Sequence, residues 1–193
     1  TMRIGYGWDS HEFKAGVPLK IGGVSIEHNK GLAGHSDGDV LLHALTDALL
    51  GAIAAGDIGT FFPPSDPKWK GADSAVFVQA AIEKVREAGY LVANIDSTLI
   101  LASPKIIPHA AKIQERVAQL LGVRTADVGI KAKTPEGMGT DNAAIAHVVV
   151  LLEKAHGQGL RSKRTAADIP QKEVDEVAKK VIEQASRPKQ VRN

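Results

Sequence analysis

Two short segments of the chain are apolar at successive positions, and they constrain the fold more than any other feature. They are TLILA at residues 98–102 and VVVLL at residues 148–152. Successive side chains of a strand point to opposite faces of its sheet, so a strand with one face in water alternates apolar and polar residues. These segments therefore predict strands whose two faces are both buried.

Strands and helices alternate along the chain up to about residue 154. The helix that begins at Ser36 has Asp39 three residues later, which fits a capping box, and its leucines recur at helical spacing. A second helix over residues 72–89 ends at a glycine, and residues 57–71 contain too many prolines and glycines for regular structure. The remaining predicted elements are a strand at 3–9, two small strands within 18–34, a strand at 94–102, a helix at 108–121, and strands at 127–133 and 144–154.

This order predicts an α+β fold, a single layered domain over residues 2–154 with a mixed β-sheet and three main helices on one face. Because both faces of the apolar strands must be covered, the other face is expected to be buried against a partner chain. The composition changes over residues 155–193, which predict a polar, basic linker followed by a C-terminal helical tail. The apolar stripe of this tail consists of Val174, Val177, Val181 and Ile182.

The charge balance and the residue inventory exclude several classes of protein. There are 24 Lys and Arg residues against 22 Asp and Glu residues, so the net charge of +2 creates no strong field for nucleic acid or a membrane surface. The chain contains no cysteine, so any transition metal must be held by histidine and carboxylate side chains. No apolar run approaches the roughly 20 residues that span a bilayer. We expect a cytoplasmic protein with neither a nucleic-acid nor a membrane partner.

Asp9 and His11 are separated by one residue within a predicted strand, so their side chains project from the same face. His43 lies about two turns into the helix predicted from Ser36, and Asp47, four residues later, could accept a hydrogen bond from its second ring nitrogen. Two histidines and one carboxylate leave one position open on a metal, which is typical of a catalytic zinc site. The alternatives are an exposed Asp–His pair near a strand end and a histidine satisfied within the core.

Two further stretches carry groups suited to phosphates. His35 and Ser36 stand at the predicted start of that helix, where free backbone N–H groups and the helix dipole favour an anion. The stretch KAKTPEGMGTDN, at residues 131–142, follows a strand and combines lysines with Thr134 and Glu136 in a glycine-rich turn, a mixture suited to phosphates and a hard cation. Ordinary helix capping by Ser36 and an ordinary solvated turn are the alternatives.

Five stretches carry a resemblance to a known family through their order and spacing. They are GYGWDSH, GLAGHSDGDVLLHALTDALLGAIAAGDIG, KGADS, ASPKIIPH and KAKTPEG. In these stretches the chain resembles the 2-C-methyl-D-erythritol 2,4-cyclodiphosphate synthase family of the non-mevalonate isoprenoid pathway, from about residue 2 to residue 154. The resemblance implies a bacterial lyase that assembles as a homotrimer with its active sites between subunits.

The resemblance also implies two metal ions and two groups that stabilise the transition state. Zn²⁺ would be held by Asp9, His11 and His43, and Mg²⁺ or Mn²⁺ would bind Glu136 together with the substrate diphosphate. The stabilising groups would be His35 and Thr134. The residues expected to contact the substrate are Asp9, His11, His35, Ser36, Asp57, Gly59, Phe62, Asp66, Leu101, Lys105, Ile106, Ile107, Ala132, Lys133, Thr134 and Glu136.

The implied reaction converts 4-diphosphocytidyl-2-C-methyl-D-erythritol 2-phosphate into the 2,4-cyclodiphosphate and CMP. The sequence departs from the family pattern at Pro64, which replaces the first Asp of an FPDTD stretch, and at Lys133, which replaces a Thr. Two other functions use the same ligand set. One is a zinc-dependent phosphohydrolase acting on a nucleotide-like substrate, and the other is a non-catalytic module that binds a nucleotide or a metal.

Overall fold

The computed structural model describes residues 1–155, which form seven strands and four α-helices. The strands are β1 (Met2–Ala15), β2 (Leu19–Ile21), β3 (Val24–Ile26), β4 (Lys30–Leu32), β5 (Tyr90–Ile100), β6 (Val128–Lys133) and β7 (Ala143–Lys154). The helices are α1 (Val40–Ala52), α2 (Ile58–Phe61), α3 (Ala75–Glu87) and α4 (Ala110–Leu121). The predicted linker and helical tail lie outside the described residues, apart from residue 155.

Five strands form one mixed sheet in the order β4-β1-β7-β5-β6, and β2 and β3 form a separate hairpin. The pair β5–β6 is parallel, whereas β4–β1, β1–β7 and β7–β5 are antiparallel. The parallel pair needs a crossover, which α4 provides between the two strands. The mixed sheet predicted from the sequence is confirmed.

The helices α1, α3 and α4 pack together on one face of the sheet. On this face, alternate residues of β7 are fully buried, and they are Ala144, Ala146, Val148, Val150 and Leu152. The opposite face carries large side chains that stay exposed in the single chain, namely Ile4, Tyr6, Trp8 and Val149. Tyr6 pairs with Val149 across the β1–β7 ladder, so these side chains form one continuous surface, which we call the open face.

Two glycines allow α1 to lie directly on the backbone of β1. A Cβ atom at Gly5 would stand 1.8 Å from the carbonyl oxygen of Ala48, and a Cβ atom at Gly7 would stand 1.8 Å from that of Ala44. Both distances are far below van der Waals contact, so no other residue fits at this helix–strand separation. The GYG stretch therefore fixes how closely the helix approaches the strand.

Three sequence-based expectations need correction. The N-cap of α1 is Asp39 rather than Ser36, because the Asp39 carboxylate accepts hydrogen bonds from the backbone N–H groups of Leu42, Gly22 and Gly23. The region 18–34 contains three short strands instead of two. Residues 57–71 contain α2 and a 3₁₀ turn at Pro67–Trp69, each capped by an aspartate side chain.

Among residues 1–155, none of the helices combines the length and the apolar composition that crossing a membrane requires.

Candidate active site

Three potential metal ligands converge between β1 and α1. Asp9 and His11 project from β1 toward the helices, and His43 reaches them from the first turn of α1. Asp9 Oδ2 lies 2.8 Å from His11 Nε2 and 3.0 Å from His43 Nδ1, and the two histidine nitrogens are 3.0 Å apart. We call these three atoms the ligand triangle. The sequence spacing predicted that Asp9 and His11 share a face, and the family resemblance added His43 as the third ligand; the structure brings the three together.

The ligand triangle fits a small divalent metal ion in size and in donor type. Zinc bonds nitrogen and oxygen ligands at about 2.0–2.1 Å, so tetrahedral ligands lie about 3.3 Å apart, a few tenths more than the edges seen here. His43 is buried, and Asp9 and His11 are partly buried, so one side of the triangle is closed by protein and the other remains accessible. Three protein ligands with an accessible fourth position are typical of a catalytic site rather than a structural one.

The electrostatics of the triangle favour a positive charge at its centre. Burial alone would raise the pKa of the Asp9 carboxyl, but its contacts with His11 and His43 outweigh burial and hold the pKa well below its usual range. Burial alone would lower the pKa of His11, but the hydrogen bond to Asp9 raises it overall. The carboxylate thus stays ionised, and either a proton on His11 or a metal ion can neutralise it.

The second ring nitrogen of His43 has partners that the sequence did not predict. His43 Nε2 lies 2.8 Å from Ser74 Oγ and 2.9 Å from Ser36 Oγ. Asp47, expected in this role, instead accepts a hydrogen bond from the backbone N–H of Ile58 at 2.7 Å, and burial raises the pKa of its carboxyl. Sequence reasoning noted Ser74 only as part of the KGADS stretch, because its position next to His43 depends on how α3 packs on α1.

The segment before α1 is tied to the loop that follows α2. His35 Nε2 lies 3.1 Å from the carbonyl oxygen of Asp66, and the His35 carbonyl accepts a hydrogen bond from Gly71 N–H at 2.8 Å. Ser36 lies next to His43 at Nε2, the ring nitrogen that faces away from the ligand triangle, and His35 contacts the loop that follows α2. The structure therefore brings Ser36 next to one of the three ligands, whereas the hydrogen bonds of His35 are made with residues 66 and 71.

The predicted residues at 57–66 line the same region through α2. Asp57 caps α2 and accepts hydrogen bonds from the hydroxyl and the backbone N–H of Thr60, which lower the pKa of its exposed carboxyl. Gly59 lies within α2, and a Cβ atom at this position would lie 3.5 Å from Asp57 Oδ1. Phe62 packs against the ring of Phe77, with 4.6 Å between the centroids. The 3₁₀ turn at Pro67–Trp69 is capped by the Asp66 carboxylate, which accepts a hydrogen bond from the backbone N–H of Lys68.

The other predicted residues form a second group at the far edge of the sheet. Leu101 N–H donates to the carbonyl of Lys133 at 3.1 Å, so the loop after β5 and the turn after β6 run side by side. Leu101 and Ile106 are buried and anchor this loop, whereas Ile107 is 72% exposed. Lys105 and Lys133 are exposed and Ala132 is partly so. In the turn, the Thr134 hydroxyl donates to the Glu136 carboxylate, and Glu136 has a φ of +50°.

The two groups of predicted residues are separated within one chain. Asp9 pairs with Ala146, which pairs with Leu99, which pairs in turn with Ala132, so these four residues form one row across the sheet. Three strand spacings separate Asp9 from Ala132, which corresponds to about 14 Å. A single chain therefore places the metal ligands and the 101–107 and 132–136 segments in different halves of the molecule.

Comparison with known proteins places this arrangement in a family. A family model described as the YgbB family matches residues 2–153, which include every residue of both groups. The chain belongs to the YgbB family. A curated member from Koribacter versatilis (strain Ellin345), named 2-C-methyl-D-erythritol 2,4-cyclodiphosphate synthase, is 65% identical over 153 residues, which is 79% of this chain and 99% of that protein.

Solved structures agree with this assignment to the YgbB family. A structure of 2C-methyl-D-erythritol-2,4-cyclodiphosphate synthase is 42% identical, with a TM-score of 0.75, and the alignment covers 78% of this chain and all of that chain. A second structure of such a synthase, described as the form with CDP bound, is 40% identical with the same TM-score and the same coverage. The resemblance inferred from the five sequence stretches is therefore confirmed.

Proposed function

We propose that this protein is a 2-C-methyl-D-erythritol 2,4-cyclodiphosphate synthase. It would convert 4-diphosphocytidyl-2-C-methyl-D-erythritol 2-phosphate into 2-C-methyl-D-erythritol 2,4-cyclodiphosphate and CMP. The observation that carries this proposal is the ligand triangle of Asp9, His11 and His43, in a chain that is 65% identical to a curated synthase. The ligand of the solved synthase structure with CDP bound matches the cytidine end of this substrate.

In the reaction, an oxygen of the 2-phosphate attacks the β-phosphorus of the diphosphate. The bond from that phosphorus to the bridging oxygen breaks, and CMP leaves with the electron pair. The nucleophile is already an anion, so the protein needs no general base; it must fold the substrate and neutralise charge as the new bond forms. A zinc ion bound by the triangle would supply Lewis-acid neutralisation of the diphosphate.

The protein's own groups would bind and orient the phosphates. His35 and Ser36 lie in the segment just before the helix that carries His43, and we assign them to contacts with the phosphate oxygens. Thr134 and Glu136 share a hydrogen bond in the glycine-containing turn after β6, so the hydroxyl is held next to the carboxylate that would bind Mg²⁺ or Mn²⁺. His35 and Thr134 are the groups we assign to transition-state stabilisation, and Asp57 and Gly59 the groups that contact the ribose.

The cytidine end would be bound by the second group, from Leu101 to Ile107 together with Ala132 and Lys133. The distance of about 14 Å across three strand spacings supports a site in which this group comes from a neighbouring subunit. The open face, with Ile4, Tyr6, Trp8 and Val149 exposed, supplies an apolar surface for such an assembly. We propose a homotrimer with three sites between its subunits, working in a bacterial cytoplasm without nucleic-acid or membrane partners.

The experiment that tests this function incubates the protein with the substrate, Zn²⁺ and Mg²⁺, and follows the products by phosphorus NMR. A synthase releases CMP and gives the two coupled resonances of a cyclic diphosphate. Release of CMP together with an open-chain bisphosphate would identify a phosphohydrolase, an alternative that the synthase names of the relatives do not favour. Binding of substrate without turnover would identify a non-catalytic module.

A further inference from the structure

Ser74 connects the ligand triangle to a carboxylate that the proposed mechanism does not use. Its side chain is fully buried, and its hydroxyl lies 2.8 Å from His43 Nε2. The same hydroxyl donates a hydrogen bond to Asp37 Oδ1. The imidazole of His43 is thus linked through one hydroxyl to the carboxylate of Asp37.

The hydrogen atoms of this cluster can be assigned by counting donors and acceptors. A serine hydroxyl has one hydrogen and two lone pairs. Because Ser74 gives its hydrogen to Asp37, it can only accept from His43, so the hydrogen of the imidazole must be on Nε2. Ser36 Oγ lies 3.3 Å from Ser74 Oγ and can donate to the second lone pair. The hydrogen bonds on the Nε2 side of His43 are then satisfied, and His43 Nδ1 directs a bare lone pair into the ligand triangle, where His11 Nε2 lies 3.0 Å away.

Asp37 is itself held in place by further donors. Its Oδ2 accepts from the backbone N–H of Ser74 at 3.1 Å and from the Lys20 ammonium at 3.2 Å, and its Oδ1 accepts from the backbone N–H of Asp39 at 3.2 Å. Lys20 also pairs with Asp73 at 2.8 Å. Both carboxylate oxygens of Asp37 therefore act only as acceptors, which keeps the Ser74 hydroxyl turned in one direction.

The position of Ser74 in the fold argues against an ordinary capping role. Ser74 is the N-cap of α3, where a serine hydroxyl normally accepts from a backbone N–H of the first turn. Here the side chain makes no such hydrogen bond. Ser74 therefore does not stabilise α3 as a side-chain cap, because its hydroxyl contacts His43 and Asp37 instead.

We infer that Ser74 and Asp37 are positioning residues that hold His43 in the Nε2–H tautomer, with Nδ1 presented to the metal. This inference deepens the proposed function, since it concerns the same metal site. Partners of this kind behind a ligating histidine fix its ring orientation and its tautomer, and their loss weakens metal affinity by about 10–100-fold. The role predicted for Asp47 from sequence belongs to the pair Ser74 and Asp37.

The test is the zinc affinity of the full chain, measured by competition with a chromophoric chelator, without substrate. Ser74→Ala is expected to weaken zinc binding by about 10–100-fold. The matched control is Ser97→Ala, because Ser97 is equally buried and donates one hydrogen bond, to the Gly129 carbonyl at 2.7 Å, on the distant pair β5–β6. Equal zinc affinity in the two variants would overturn the inference.

Two further measurements cover the case in which Ser74→Ala does not fold. Asp37→Asn keeps the shape of the side chain but turns an amide N–H toward donors, so it is expected to weaken zinc binding in the same range. Nitrogen-15 NMR of the metal-free wild-type chain above neutral pH should show the His43 proton on Nε2; a proton on Nδ1 would overturn the inference. Neither measurement uses the substrate, so they separate failure of the positioning role from failure of the proposed reaction.

Discussion

At the scale of single residues, His11 links protonation to metal binding. Its Nε2 lies within 3.0 Å of both other atoms of the ligand triangle, and the hydrogen bond to Asp9 raises its pKa against the opposing effect of burial. A metal ion must displace this proton before His11 can coordinate it. Zinc affinity should therefore weaken as the pH falls through a pKa above the usual histidine value of about 6.5.

The raised pKa of His11 predicts opposite effects of pH on the stability of the metal-free protein and of the zinc-loaded protein. Protonated His11 stabilises the metal-free fold; this contribution is complete below the pKa of the unfolded chain and is lost as pH rises through the raised pKa of the folded one. Thermal melts of the metal-free protein should show a falling contribution from this group as the pH rises above the usual histidine pKa of about 6.5. The zinc-loaded protein should gain stability over the same rise in pH. A metal-free His11→Gln variant with the same pH dependence as the wild type would contradict this assignment.

His43 and Asp47 should differ strongly in their effect on zinc binding. His43→Ala removes one atom of the ligand triangle, so we expect stoichiometric zinc binding to be lost. Asp47→Asn should change zinc affinity by less than about 3-fold, because Asp47 bonds the backbone of Ile58 and not a ring nitrogen of His43. Metal analysis and chelator competition measure both effects. A loss of 10-fold or more in Asp47→Asn would restore the role predicted from sequence spacing.

Lys133 and Thr134 are adjacent but should affect different kinetic constants. Lys133 is exposed at the end of β6, where its ammonium can reach a phosphate, so Lys133→Thr should raise KM more than it lowers kcat. Thr134→Ala, at the position assigned to transition-state stabilisation, should mainly lower kcat. Steady-state kinetics at low and high salt measure the split, because an exposed charge contact weakens with salt. An unchanged KM for Lys133→Thr at low salt would show that the lysine points to solvent.

At the scale of elements, the capping of α1 depends on a buried carboxylate. Asp39 accepts from three backbone N–H groups, those of Gly22, Gly23 and Leu42, so it joins the β2–β3 hairpin to the start of the helix. Asp39→Ala would remove a cap and leave buried donors unpaired, which should lower the free energy of unfolding by about 2–4 kcal/mol. Urea denaturation measures this, with Ser36→Ala as the control. A larger loss in Ser36→Ala would restore the cap predicted from sequence.

The elements that the sequence predicted well are those whose pattern is local. The same-face spacing of Asp9 and His11 and the helical periodicity around His43 depend only on near neighbours, and these residues meet as predicted. The choice between Ser36 and Asp39 as the cap is different, because both residue types cap helices equally well. Two tertiary contacts decide which residue is the cap. The Ser36 hydroxyl hydrogen-bonds to His43, and the backbone N–H groups of the β2–β3 hairpin donate to Asp39. Neither contact leaves a periodic signal in the sequence.

At the scale of the whole molecule, the open face and the separated site groups point to the same assembly. Light scattering at micromolar concentration should give three times the mass of one chain. Trp8→Glu places a charge on the open face and should shift the protein toward monomer, since burying an unpaired charge is costly. Glu27→Lys, at an exposed position directly after β3 and outside the open face, is the control for a change of charge. A monomeric wild type would contradict the proposed trimer.

Shared sites also predict that two inactive variants can complement each other. His43→Ala damages the metal half of a site and Lys105→Glu damages the cytidine half. Mixed trimers refolded from equal amounts should contain intact sites at roughly a quarter of the wild-type number, because each half is intact in half of the subunits. Activity of the refolded mixture measures this. If both halves came from one chain, the mixture would stay inactive.

The two glycines beneath α1 have a consequence for ion selectivity. Asp9 and His11 continue the strand that contains Gly5 and Gly7, and His43 directly precedes Ala44, whose carbonyl oxygen would touch any side chain at position 7. The separation of helix and strand therefore also limits how far His43 lies from Asp9 and His11, the two edges of the ligand triangle that join the strand to the helix. A methyl group added at Gly5 or Gly7 would push the helix away from the strand, so the ligand triangle would widen and favour larger cations. Two residues without side chains, neither of them a ligand, would therefore limit the size of the ion that the ligand triangle can hold.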